Sequence, residues 1–240
     1  MRPVDTAQDG GPTTLLTGKP WNALSKESIE NILNAASEHI LSRGEHVTAH
    51  LGIVLSGVVG VVQETTDGRR VYSALFHENH LVDLRCSARK PNGTLTALTP
   101  TRLLTLDAGK LDLSAPERAD IANAMIEQLR AHCARMRDHC TSLACKTPLE
   151  RLASALLEFH SWPCSKANGE SGDSVRLPIR KSDLADYIGV KPETISRSMR
   201  RLEKEGLIAF SEGDLIGLLN KDALNVVANG GRPRKSTRQG

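Results

Sequence analysis

Residues 182–204 read SDLADYIGVKPETISRSMRRLEK, and this stretch decides the fold of the C-terminal part of the chain. It predicts two short amphipathic helices, over 183–188 and 192–205, with Gly189 at a tight turn between them. The helices share a small apolar core of six residues, namely Leu184, Ala185, Ile188, Ile195, Met199 and Leu202. A strand is predicted before them at 175–179, and two more follow at 207–210 and 215–218. The order predicts a helix-turn-helix with a wing.

The second helix carries a polar stripe opposite its apolar residues. Glu193, Ser196, Arg197 and Arg200 are spaced i, i+3, i+4 and i+7, so they lie on one face. An arginine can bridge O6 and N7 of guanine, and a carboxylate accepts from N4 of cytosine. We therefore predict that Glu193, Ser196 and Arg197 read base edges in the major groove of DNA. Phosphate contacts are expected from the flanking residues Lys191, Thr194, Arg200, Arg201 and Lys204.

A different interpretation of this stripe stays open. The same residues fit a solvated helix face on which Glu193 and Arg197 form an i, i+4 ion pair.

A long helix is predicted from the capping-box pattern of Ser114 and Glu117 to about residue 144. Its apolar residues recur in steps of three and four, as a heptad seam of Ile126, Leu129, Cys133, Met136, Cys140 and Leu143. The chain has no second long heptad helix, so the expected partner is the same helix of another copy, in a homodimer. Packing of the seam on the chain's own β domain is the alternative. Another capping box, of Thr147 and Glu150, predicts a helix to about residue 160 and a domain boundary near residue 146.

The N-terminal half is predicted to be β. After a loose polar arm at 1–20 and a short helix, β-type runs cover 38–43, 45–56, 58–64, 70–76 and 95–107. They are separated by Gly44, Gly57 and Asp67-Gly68, and an Asp-Gly pair between apolar runs indicates a hairpin. Short strands at this spacing predict an antiparallel roll or barrel.

Composition excludes several classes of protein. The 240 residues are 39% hydrophobic, which suits two domains, and a formal charge of +3 requires any nucleic-acid surface to be local. We find neither an apolar membrane span nor a secretory leader, so a cytoplasmic location without membrane contact is expected. Five cysteines, at 86, 133, 140, 145 and 164, fit reduced thiols. No nucleophile–base pair or phosphate loop is found, so an enzyme is not expected.

Several stretches resemble the CRP/FNR superfamily of bacterial transcription regulators. The run from Glu193 to Arg197 is similar to the Glu, Ser, Arg signature of its FNR/FixK branch, rather than its cyclic-AMP branch. Leu55-Ser-Gly57 and Asp67-Gly-Arg-Arg70 resemble its β-roll, and the stretch 145–154 (CKTPLERLAS) resembles the helix after its dimer helix. The resemblance covers most of residues 24–225. It implies an α+β fold with a double-stranded β-roll sensor domain of cyclic-nucleotide-binding type (21–113), a long dimerisation helix (114–145) and a winged helix-turn-helix (146–228).

The resemblance also implies a function. It is that of a homodimeric, FixK-like activator that reads an inverted repeat similar to TTGAT in double-stranded DNA and contacts RNA polymerase. The genes concerned would serve low-oxygen, nitrogen-oxide or redox metabolism. A rival interpretation is a metal, haem or thiol-redox sensor whose helix-turn-helix serves protein contacts.

The chain departs from the family at its cofactor sites. An FNR-type iron–sulfur cluster needs three closely spaced N-terminal cysteines, whereas the first cysteine here is Cys86. Cyclic AMP is not expected either, because no arginine stands where the phosphate of the nucleotide would need one. We therefore predict no cofactor. His77, His80 and Cys86 leave haem or metal ligation open, beside the simpler interpretation of histidines on a surface loop. Cys133 and Cys140 fit either small apolar fillers or a redox or metal site between subunits.

The C-terminal tail, residues 229–240, is predicted to be a disordered basic arm. It carries Arg232, Arg234, Lys235 and Arg238. Gly231-Arg232-Pro233 resembles the core of an AT-hook, which enters the minor groove of A·T-rich DNA. Nonspecific attraction to phosphates is the alternative.

Overall fold

The computed structural model describes residues 2–3, 16, 18–47, 51–83, 94–107, 114–165, 173–211 and 215–232. The chain divides into two compact units, residues 1–136 and 137–240. Within the described residues, no helix combines the length and the apolar character that crossing a membrane requires.

The first unit is a β-roll of two antiparallel sheets. One sheet has the strand order β1-β2-β9-β4-β7, and the other has the order β3-β8-β5-β6. The strands are β1 (Arg2–Pro3), β2 (Ala36–Leu41), β3 (His46–Val47), β4 (Leu51–Ser56), β5 (Val58–Glu64), β6 (Arg70–His77), β7 (Leu81–Asp83), β8 (Thr94–Ala97) and β9 (Thr101–Leu106). The predicted β character of this half is confirmed.

Two apolar cores lie on opposite faces of the five-stranded sheet. Successive residues of a strand point to opposite faces, so Ile53 of β4 joins the core beneath the helices, while Val54 joins the core between the sheets. Leu104 and Leu103 of β9 divide in the same way. The helical side of the first core comes from α1 (Lys26–Asn34) and from the beginning of α2 (Ala115–Cys145). The long helix therefore forms part of the first unit's own core.

Two turns follow the sequence prediction. The Asp67-Gly68 turn joins β5 to β6, with the amide of Gly68 donating to the carbonyl of Thr65 at 2.9 Å. Gly57 separates β4 from β5 with a φ of +86°. A side chain there would meet the carbonyl of Pro100, so the turn requires glycine.

Several sequence expectations for this unit are wrong. The run 95–107 is two strands in different sheets, because a turn around Thr99-Pro100 interrupts it. The run 45–56 is likewise divided between β3 and β4. The described part of residues 1–20 is not loose, since Leu16 is buried and β1 pairs with β2. Strand β7 was not anticipated.

The second unit contains the last turns of α2 and a compact helical module. Its helices are α3 (Pro148–His160), α4 (Lys181–Ile188), α5 (Pro192–Lys204) and α6 (Lys221–Ala228), and α6 was not predicted. The capping box of α3 is present: the amide of Thr147 donates to Glu150 Oε2 at 2.9 Å, and the amide of Glu150 donates to Thr147 Oγ1 at 3.5 Å. Strands β10 (Ser174–Arg176), β11 (Ile208–Phe210) and β12 (Leu215–Leu218) form a sheet in the order β10-β12-β11.

Candidate nucleic-acid interface

Helices α4 and α5 form the predicted helix-turn-helix. Gly189 ends α4 in the left-handed conformation, with a φ of +66°, which glycine adopts without strain. All six predicted core residues of the pair are buried. Their burial fixes which side of α5 faces solvent.

The predicted base-reading residues lie together on the solvent side of α5. Glu193, Ser196 and Arg197 are all exposed, while Ile195 beneath them is buried. The Ser196 hydroxyl donates only a long bond, 3.5 Å, to the carbonyl of Pro192. Among the described residues, no ion pair joins Glu193 to Arg197. The i, i+4 pair of the alternative interpretation is absent there, so both charged groups face water and are available to a ligand.

The predicted phosphate-binding residues surround this face. Lys191, Arg200, Arg201 and Lys204 are exposed, and Thr194 is half-buried. Arg201 is already paired, because its Nε donates to Glu205 Oε1 at 2.9 Å. Four cationic side chains therefore surround the Glu193, Ser196 and Arg197 group, three of them without such a pair among the described residues.

Sequence reasoning missed three further exposed cations in this unit. Arg176, Arg180 and Lys181 are exposed, and the Lys181 ammonium lies 6.0 Å from the ring centroid of Phe210 in the wing strand β11. Phe210 itself is exposed. The sequence carries a signal for these cations, because Arg180 immediately precedes α4 and Lys181 is its first residue. The tip of the wing, residues 212–214, lies outside the described residues.

The six residues of the predicted seam divide into two sets. Ile126, Cys133 and Cys140 are exposed and seven residues apart, so they form a straight stripe along α2. Leu129 and Met136 are half-buried and pack on the two cores of the first unit. Half-buried Leu143 belongs to the second unit, where it lies close to Gly189. Some residues of the predicted seam therefore pack within the chain itself, and the others form one exposed stripe.

Of the two candidate sensing histidines that the structure describes, His77 is buried at the end of β6 and His80 is half-buried in the turn that follows. The rings of His77 and His80 lie 3.8 Å apart at the turn between β6 and β7. On the facing helix α2, His132 stacks on Phe76 with a centroid distance of 4.9 Å. The described residues include no group of three potential metal-binding side chains, and Cys86 lies outside them.

Burial keeps these histidines neutral. Loss of solvent, followed by the nearby charge of Arg135, lowers the pKa of His77 to about 4. Loss of solvent also lowers the pKa of His80 to about 2, with His77, Arg135 and His132 contributing in that order. Desolvation and Arg135 likewise lower the pKa of His132. The cluster is therefore uncharged at neutral pH.

Comparisons of the sequence with known proteins find one matching domain family and several relatives. Residues 150–227 match the family described as the Crp-like helix-turn-helix domain. The transcriptional activator protein anr of Pseudomonas aeruginosa is 30% identical over 185 residues, which span 74% of this chain and 72% of that protein. The nitrogen fixation regulation protein FixK of Azorhizobium caulinodans is 27% identical over 180 residues, or 75% of this chain and 72% of that protein.

Solved structures share the fold. The structure of FixK2 from Bradyrhizobium japonicum has a TM-score of 0.68 and 23% identity to this chain, and the match covers 80% of this chain and 96% of that one. A CRP-family transcriptional regulator from Thermus thermophilus has a TM-score of 0.64 at 21% identity, with 82% of this chain and 100% of that chain covered.

Proposed function

Because this chain belongs to the CRP/FNR family of DNA-binding transcription regulators, in its FixK-like branch, we propose that it is a sequence-specific activator. It binds, as a homodimer, an inverted repeat with half-sites similar to TTGAT. The α5 helix of each protomer enters the major groove of one half-site.

One observation carries the proposal. Glu193, Ser196 and Arg197 share one exposed face of α5, and the acid and the guanidinium are not paired with each other among the described residues. A carboxylate weakens binding to phosphates, so its place in a cationic face is explained by an acceptor role toward a cytosine amino group. Arg197 then reads guanine, and the surrounding cations hold the backbone.

The exposed stripe of α2 supports the dimer. Ile126 is 45% exposed, and an apolar side chain every seven residues matches the contact between two parallel helices. A two-fold axis along this stripe gives two copies of α5 for the two halves of a palindrome.

We also propose a signal to which the protein responds and partners other than DNA. The family supports contact with RNA polymerase, a cytoplasmic site of action on the chromosome, and control of low-oxygen, nitrogen-oxide or redox genes. The cysteines at 86, 133, 140, 145 and 164 do not fit an FNR-type cluster, which requires an N-terminal group of three. The basic tail at 229–240, of which residues 233–240 lie outside the described residues, adds phosphate contacts or a minor-groove contact.

The proposal is tested with the Arg197→Ala variant. A duplex with two inverted TTGAT half-sites is compared with a scrambled duplex in a binding titration at fixed salt. Loss of a base-reading arginine should weaken binding to the palindrome by about 1–3 kcal/mol, or roughly 5- to 150-fold, and should hardly change binding to the scrambled duplex.

Arg201→Ala is the matched control on the same helix. A phosphate contact carries no sequence information, so this variant should lose the same factor on both duplexes. Equal losses for Arg197→Ala on the two duplexes, or no loss, would instead favour a helix-turn-helix that serves protein contacts.

A further inference from the structure

Arg151, in the first turn of α3, bonds two helix ends at once. Its Nη2 and Nε donate to the carbonyls of Leu143, at 2.7 Å, and Lys146, at 2.9 Å, where α2 ends. Its Nη1 donates to the carbonyls of Ile188, at 3.1 Å, and Gly189, at 3.4 Å, where α4 ends. The last carbonyls of a helix have no partner within that helix, so one guanidinium supplies donors to two such ends.

Charge favours the same arrangement. The C-terminal end of a helix carries a partial negative charge, which a cation stabilises. Arginine presents several N–H donors in a rigid plane, whereas lysine presents one compact ammonium on a flexible stem. Only the planar group has the shape to reach four carbonyls on two helices together.

An independent ring contact joins the same two helices. His139 of α2 stacks on Tyr187 of α4, with centroids 4.3 Å apart and an angle of 6° between the planes. Tyr187 is buried, and its hydroxyl donates to the carboxylate of Glu158 on α3, with oxygen–oxygen distances of 3.2 and 3.3 Å. The direction of α4 relative to the last turns of α2 is thus fixed at two places.

We infer that Arg151 is a positioning residue for DNA recognition. It sets the direction in which the α4–α5 pair leaves the end of α2, and so the separation at which two protomers present α5 to two half-sites. This inference rests on the proposed function. Half-sites on one face of DNA are separated by a fixed helical repeat of ~34 Å. If the α4–α5 pair leaves α2 in a wrong direction, binding to the second half-site is therefore weakened, while binding to the first is not.

The test is the Arg151→Lys variant, measured on a single half-site duplex and on palindromes whose central spacer is varied by one or two base pairs. We expect the half-site affinity to stay within about threefold of the native value, because α5 itself is unchanged. Binding to the best palindrome should weaken at least about tenfold, and the preference for one spacer length should flatten. His139→Ala removes the second contact and should act in the same direction, which keeps the test decisive if Arg151→Lys does not fold.

Arg69→Lys, an exposed change in the β5–β6 hairpin, is the control and should leave both quantities unchanged. Equal weakening of half-site and palindrome would overturn the inference, since it would make Arg151 a support for the fold of the module alone. Unchanged spacing preference in both variants would overturn it as well. Failure of the native protein to prefer any palindrome would instead be the failure of the proposed function.

Discussion

His77 and His80 are neutral because water is excluded from them and Arg135 lies near them, as their lowered pKa values show. An unfolded chain gives the same side chains an ordinary pKa near 6.5. Between pH 6.5 and the pKa of the folded state, the unfolded chain therefore binds more protons than the folded one. Stability is present in full above that range and is lost as the pH falls through it.

Acid is accordingly expected to destabilise the first unit. The two histidines together should lower the free energy of unfolding by on the order of 1 kcal/mol or more per pH unit below 6.5, and His77 should contribute down to about pH 4. Urea unfolding at pH 7.5, 6.0 and 5.0 measures the slope. The double variant His77→Gln/His80→Gln should be less stable at pH 7.5, but its free energy of unfolding should change less with pH. A variant with the native slope would show that these rings do not control the acid response.

Some features of individual residues could be predicted from the sequence, and others could not. The exposure of Glu193, Ser196 and Arg197 follows from helical spacing alone, so it could be predicted. The neutral state of His77 depends in part on Arg135 of α2, which is distant from it in the sequence. Arg151 was missed for the same reason, because its four acceptors come from the ends of two other helices.

Among the elements, α2 has two roles. Its inner side completes the cores of the first unit, while Ile126, Cys133 and Cys140 remain exposed on another side. In a parallel pair of such helices, each of these residues lies opposite its own symmetry mate, and the two cysteines of each Cys133 or Cys140 pair are then close enough for a disulfide.

Mild oxidation should therefore link two protomers covalently. We expect a band of twice the monomer mass in non-reducing electrophoresis, weakened by Cys133→Ser or Cys140→Ser and abolished when both are changed. Cys145→Ser changes an exposed thiol outside the stripe and serves as the control. If the native protein and all these variants stay monomeric after oxidation, the seam thiols do not meet.

Some helices and strands could be predicted from the sequence more closely than others. The β5–β6 hairpin and the capped α3 were predicted closely, because their turn and cap residues are local signals. The division of 95–107 into β8 and β9 was not, since both halves have β character and only their membership of different sheets separates them. Helix α6 follows the wing without a distinctive signal, although Asn220 caps it by accepting from the amide of Ala223 at 2.9 Å.

At the scale of the whole molecule, charge is modest in total but uneven in placement. The net formal charge is +3, and the tail at 229–240 holds Arg232, Arg234, Lys235 and Arg238. Binding to DNA therefore depends on where the cations lie rather than on their sum.

Removal of residues 230–240 should reduce the salt dependence of DNA binding. The slope of log K against log salt falls in magnitude by ~0.9 for each phosphate contact that is lost. Titrations between 50 and 200 mM salt, at constant pH, measure it for the full and the shortened chain. If the slope is unchanged and only A·T-rich flanking DNA is bound less well, the tail acts in the minor groove instead.

Because α2 is one continuous helix, it also limits where the N-terminal part of one such regulator can be joined to the C-terminal part of another. Every amino acid inserted into an α-helix turns all that follows it by about 100° and advances it by about 1.5 Å. A chimaera joined within 115–145 keeps its hydrophobic stripe in line only if the graft adds or removes complete seven-residue blocks. A junction placed before residue 114 lies outside α2 and does not have to satisfy this condition.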